Sequence, residues 1–195
     1  MQTGTGYEDL AHWLSSGKKA NAFVIHPPRL SPEENFPPPA GERFLGVYSS
    51  GSTGKPKLIW WNLKALHSNC SKYSNAAGWT WATCFQPWSF AGVHLACQAH
   101  ISGGRVLSLG HDWQMNHSIL QQDRPQAISV TPTFIDLLIQ SRKNSKSTDW
   151  SPRQISIGGE ILRASTGTRI RSTYPSSRIT LIYGSAEAGV IAKTT

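Results

Sequence analysis

At 195 residues the chain is long enough to bury one sizeable core. Its net charge of +8 and sequence pI near 9.7 invite a nucleic-acid reading, but only Lys18-Lys19 and Arg142-Lys143 are adjacent basic pairs, so no dense stripe follows a phosphate backbone and specific nucleic-acid binding is not expected. No apolar run reaches membrane-spanning length and no basic-then-apolar leader opens the sequence; Cys70, Cys84 and Cys97 fit neither a disulfide framework nor a Cys-x-x-Cys metal site. The expectation is a soluble, cytoplasmic protein with no membrane span and with reduced thiols in its interior.

In chain order, Leu10, Trp13 and Leu14 share helical spacing and predict a short helix over residues 7–16. Six prolines between Pro27 and Pro39 then break regular structure, so residues 26–41 read as an extended linker and residues 1–43 as an N-terminal extension. From Phe44 onward strand-like and helical runs alternate. Strands are predicted at 44–49 and 58–61, followed by a helix at 63–76 capped by Asn62. A strand at 79–85, a helix at 91–101 and a strand at 105–109 come next. Residues 127–130 predict a strand running into a helix from Pro132 to about Ser141, where proline suits the first turn. A strand at 155–157, a helix around 161–172 and a strand at 179–183 complete the alternation. Such alternation implies an α/β fold over residues 44–195, a mostly parallel sheet covered by helices. Ligands in such sheets bind beyond the carboxyl ends of the strands.

The run YSSGSTGKPK at residues 48–57 packs four serine and threonine hydroxyls, two glycines and two lysines behind an apolar segment. That is the composition of a loop that grips phosphate. Glycine lets the backbone approach a ligand, hydroxyls and N–H groups donate to phosphate oxygens, and lysine supplies countercharge. A Walker loop fails on spacing, because Ser52 stands where lysine must follow Gly51. The plainer alternative is a flexible Gly/Ser turn with solvated lysines.

With three further segments in order, the run resembles the adenylate-forming ligases, the superfamily of acyl- and aryl-CoA synthetases, peptide-synthetase adenylation domains and luciferases. Gly158-Gly159-Glu160 resembles the adenine-side GGE turn, and Tyr183-Gly184-Ser185-Ala186-Glu187 the YGxTE motif. Ser129 to Thr133 with Leu137-Leu138 resembles the S-x-x-P-T and LL segment, in a form close to o-succinylbenzoate-CoA ligases. The resemblance covers about residues 44 to 192. It implies the core of the large domain of an AMP-forming acid-thiol ligase, in which ATP activates a small carboxylic acid as an acyl-adenylate for transfer to CoA. It implies that Ser50, Gly51, Ser52, Thr53, Gly54 and Lys57 hold the β- and γ-phosphates, and that Gly159 and Glu160 contact adenine. Tyr183 would stack on adenine beside Gly184 and Ser185, and Glu187 would hold magnesium; Lys57 and Glu187 are the catalytic candidates.

Each has a plainer alternative. Glu160 is the kind of carboxylate that faces a helix start, Tyr183 the kind of ring that fills a core, and Glu187 an ordinary turn acid. In the family a ribose-binding aspartate, a hinge and a C-terminal domain with a catalytic lysine follow YGxTE. None of these is found in the 195 residues, a separate C-terminal polypeptide is a candidate partner, and the 195 residues alone are expected to bind ATP weakly and to turn it over poorly or not at all. Ala186 replaces the YGxTE threonine and Leu58 a glycine. Ser89 replaces the gate histidine of a P-x-x-H-x-x-G segment, and Gln98 an arginine of o-succinylbenzoate ligases. The second reading is therefore a non-catalytic nucleotide- or partner-binding remnant. Trp60, Trp61, Trp79, Trp81, Trp88 and Trp113 are expected to pack between sheet and helices, the alternative being the lining of an aromatic acyl pocket.

Overall fold

Four of the described helices start at a small polar side chain. Asn62 Oδ1 accepts from the N–H groups of Lys64 and Ala65 at 2.9 and 3.2 Å, opening α2 (Leu63–Cys70). Ser89 Oγ accepts from Gly92 N–H at 3.1 Å and opens α3 (Phe90–Ile101). Thr131 Oγ1 accepts from Phe134 N–H at 3.1 Å, with Pro132 in the first turn of α5 (Pro132–Arg142), where the missing proline N–H costs nothing. Asp112 does the same for Met115 N–H at the start of α4 (Trp113–Asp123). The computed structural model describes residues 1–17, 21–27, 37–49, 57–70, 76–142 and 149–195.

Two compact units are formed. The first comprises Met1–Gly78, Gln86–Gly104 and Ser185–Gly189; the second comprises Trp79–Phe85, Arg105–Gly184 and Val190–Thr195. The first contains α1 (Tyr7–Ser15), α2 and α3, with a sheet ordered β1 (Gln2–Gly4), β2 (Ala22–Ile25), β3 (Phe44–Ser49), β4 (Lys57–Asn62). β1, β2 and β3 run parallel and β4 antiparallel to β3. Leu10, Trp13, Phe23, Ile25, Leu45, Val47 and Leu66 are fully buried. Burying each such aliphatic side chain contributes about 1.5–3 kcal/mol.

The other sheet is ordered β10 (Gly189–Thr194), β9 (Arg178–Ser185), β8 (Gln154–Gly158), β7 (Ala127–Val130), β5 (Thr80–Thr83), β6 (Arg105–Ser108). β6, β5, β7, β8 and β9 are all parallel. β7 is buried along its whole length and β8 up to Ile157, as expected of parallel strands covered on both faces. In the second unit α4, α5 and α6 (Ala164–Thr173) supply Leu120, Ile135, Leu138 and Ile170 to a core with Ile128, Val130, Ile155 and Ile157. The fold is mixed α/β, with sheets dominated by parallel pairing.

Several boundaries differ from those expected. β1 and β2 come from residues read as an extension, and the backbone of β2 pairs with Phe44, Leu45 and Gly46 of β3. The strand pairing therefore does not follow a division at residue 43. α6 begins at Ala164, three residues later than expected. α4 and β10 are elements the sequence reading lacked.

Candidate functional site

In the first unit the antiparallel pairing of β3 and β4 brings Ser49 opposite Lys57. Ser49 ends β3 as expected, Lys57 starts β4 one residue earlier than the strand expected at 58–61, and the connecting residues 50–56 lie outside the described residues. Ser50, Gly51, Ser52, Thr53 and Gly54, all expected to hold phosphate, fall in that segment. Beneath β3, the Tyr48 hydroxyl and His26 Nδ1 stand 2.9 Å apart, and Tyr48 N–H donates to the Trp88 carbonyl at 3.1 Å.

The same unit holds the 186–188 turn that follows β9. Ser185 Oγ accepts from Ala188 N–H at 3.1 Å, and Trp61 Nε1 donates to the Ala186 carbonyl at 2.9 Å. Glu187 is exposed. Its own backbone N–H, the Ser49 and Ser185 hydroxyls and the charge of Lys57 together hold its carboxyl below the ordinary glutamate value. Ser49 Oγ closes no hydrogen bond of good geometry, so its effect on Glu187 is that of a nearby dipole. Lys57, Ser185 and Glu187 are thus gathered at one place, with Ser49 and Trp61 beside them.

Two departures from the family motifs have visible uses. Ser89, in the gate position, donates to the Gln86 carbonyl at 2.7 Å while capping α3. Gln98 lies inside α3, and its amide nitrogen has no hydrogen-bond partner among the described residues.

In the second unit Gly159, Glu160, Tyr183 and Gly184 border one concavity of about 380 Å³, together with Ile161, Leu162, Lys193 and Thr194. Strand order reverses between β5 and β7, because β6 lies on one side of β5 and β7 to β9 on the other. Beyond the ends of these strands lie Phe85, Thr131 and Gly159, whose Cα faces the Phe85 ring and the Thr131 methyl. Such a reversal is where open α/β sheets hold ligands. Gly159 has φ +82°, a left-handed backbone that favours glycine. Glu160 accepts from Thr133 N–H at 3.2 Å and from Thr133 Oγ1 at 2.5 Å. It therefore faces a helix start, but that of α5 rather than of the helix following it, and the helix dipole favours its negative charge. Tyr183 is 68% exposed, so its ring does not fill a core.

Cys84, after β5, has its thiol pushed up to about 11, chiefly by burial, which leaves it protonated and inert at neutral pH. Among the described residues no group of three or more His, Cys, Asp or Glu side chains is placed to hold a metal ion, and no helix is long and apolar enough to cross a membrane. The tryptophans serve separate contacts. Trp61 packs on Phe90, Trp79 on Trp81 and Trp113 on Phe134.

This chain belongs to the AMP-binding enzyme family, whose pattern it matches over residues 7–195. Among solved structures it is similar to a long-chain-fatty-acid-CoA ligase from Archaeoglobus fulgidus, at 18% identity and TM-score 0.64, over 77% of this chain and 33% of that one. It is also similar to O-succinylbenzoate coenzyme A synthetase from Bacillus subtilis in complex with ATP and magnesium ion, at 18% identity and TM-score 0.64, over 77% of this chain and 32% of that one. ATP-bound MatB from Rhodopseudomonas palustris matches at 20% identity and TM-score 0.64, over 77% of this chain and 30% of that one. At these identities the likeness is one of fold. The chain spans about a third of the length of these three proteins. No curated protein matches it significantly in sequence.

Proposed function

We propose that the chain is the nucleotide-binding core of an AMP-forming acid-thiol ligase, binding ATP with magnesium to activate a carboxylic acid for transfer to a thiol such as CoA. The observation that carries this reading is the ionised, exposed Glu187 beside Lys57 and Ser49, at the two strand ends that flank the glycine-, hydroxyl- and lysine-rich segment. The donor set fits magnesium, which takes one or two protein carboxylates and completes its shell with phosphate oxygens and water. When bound, the ion neutralises phosphate charge. Glu187 would hold it, and Lys57 would supply a second positive charge to the phosphates. Gly159, Glu160, Tyr183 and Gly184 are assigned to the adenine side, since a largely exposed ring over an apolar concavity offers a stacking face. The work is charge neutralisation and positioning, so no protein nucleophile is required.

ATP–pyrophosphate exchange by the full chain with a panel of carboxylic acids tests this reading. Exchange that depends on one acid supports the ligase. Magnesium-dependent ATP binding without exchange for any acid would favour the non-catalytic reading, which Ala186 favours because it offers no side-chain hydroxyl to the α-phosphate. Absence of ATP binding would overturn both.

A further inference from the structure

The turn that presents Glu187 is held by a side chain 125 positions away in sequence. Trp61 sits near the end of β4, half-buried, and two independent contacts tie it to that turn. Its indole N–H donates to the Ala186 carbonyl at 2.9 Å. Its ring lies so close to Gly189 that a Cβ there would stand 2.9 Å from the Trp61 ring edge and 3.7 Å from Phe90. Phe90 in turn packs on Trp61 with centroids 5.3 Å apart. Glu187 therefore lies between one residue bonded by the indole and another pressed against it. A free turn would leave the Glu187 carboxylate to swing into water.

We propose that Trp61 is a positioning residue, whose indole N–H and ring hold the 186–188 turn so that Glu187 faces Lys57 and Ser49 in the pose that takes a magnesium ion. The magnesium part rests on the function proposed above; the positioning part does not. Because the bond runs to a backbone carbonyl, it fixes the turn whatever side chain residue 186 carries. Here that residue is alanine, so the backbone contact supplies order that a side-chain hydroxyl is not available to supply.

The test compares the full chain with Trp61→Phe, which keeps an aromatic ring against Gly189 and removes the donor. Amide hydrogen exchange at residues 186–189 reads the order of the turn directly. The expected result is protection of these amides in the native protein and its loss in Trp61→Phe. Magnesium-dependent ATP binding should weaken by roughly 3- to 10-fold, the loss of about one net hydrogen bond. Unchanged protection of the turn in a folded Trp61→Phe protein would overturn the proposal. If the protection is lost but neither protein binds ATP with magnesium, the positioning stands and the ligase reading falls. A second measurement needs no variant: hydrogen exchange at the Trp61 indole N–H of the native protein. Slow exchange supports the bond to Ala186, and exchange at the rate of a free indole contradicts it.

Discussion

The turn that carries Glu187 and the concavity bordered by Tyr183 lie four positions apart in the chain, and they are built from different materials. Around Glu187 the neighbours are an ammonium group, two hydroxyls and backbone N–H groups. Around Tyr183 they are mostly apolar side chains and glycine backbone, with Glu160 engaged at the start of α5. The first environment neutralises negative charge, and the second offers an aromatic face for stacking. The two regions also use glycine differently. Gly159 and Gly189 both have positive φ, +82° and +73°, but only Gly189 is pressed by a neighbouring ring.

The largest expected effect breaks the charged half. Glu187→Ala should weaken magnesium-dependent ATP binding by on the order of 100-fold, since even the groups that support a metal ligand are worth about 10- to 100-fold. Binding of adenosine, which lacks the phosphates, should be unchanged. Calorimetry with both ligands reads the contrast.

Alanine at the two glycines sharpens the comparison through stability. Gly159→Ala meets only the cost of a left-handed backbone, about 1–2 kcal/mol, because its new methyl would stand in ordinary contact with Phe85. Gly189→Ala meets the same cost and also pushes on Trp61, so it should lose a further ~1–3 kcal/mol. Thermal unfolding of the two variants side by side checks the order.

Breaking the stacking half should cost less than removing the carboxylate. Tyr183→Ala should weaken both ATP and adenosine by about 5- to 100-fold, the range for loss of one base–aromatic stack, and Tyr183→Phe should restore both. Stability should change by less than about 0.5 kcal/mol, because the ring is mostly exposed.

The smallest effect concerns acid. Burial holds His26, His67 and His100 in the first unit, and His117 in the second, below the ordinary histidine value of 6.5. Each binds a proton more readily in the unfolded chain. Their contribution to stability is therefore complete above pH 6.5 and declines as pH falls through that value towards the lowered ones. Three of these four lie in the first unit, so amide hydrogen exchange at about pH 5.5 compared with about pH 7.5 should show that unit losing protection first.

Much of the fold was legible because its signals are local. Asn62 and Pro132 mark helix starts where the structure has them, and the apolar runs at β7 and β8 are buried parallel strands. α4 escaped because its buried face carries Asn116 and His117 beside Leu120, so no apolar stripe repeats at helical spacing. Asn116 is buried because its amide both accepts from Gly110 N–H and donates to the Gly110 carbonyl, each at 3.0 Å. β2 is four residues long and close to Pro27 and Pro28, and its pairing with β1 and β3 gives it away. β10 lies at a sheet edge, with Ile191 to Thr194 exposed, so burial left no pattern in its sequence. Of the candidate site, Glu187 and Tyr183 are proposed on the order of their motifs. The contacts of Ser49, Trp61 and Thr133 were not legible, since each partner is distant in sequence and no periodicity connects them.

The central claim, that Glu187 and Lys57 handle a magnesium-bound polyphosphate, is tested most directly by calorimetric titration of the full chain with ATP, with and without magnesium. The account predicts binding that tightens when magnesium is present and that loses this dependence in Glu187→Gln. ATP binding that is absent, or equally tight with and without magnesium in the native chain, would contradict it.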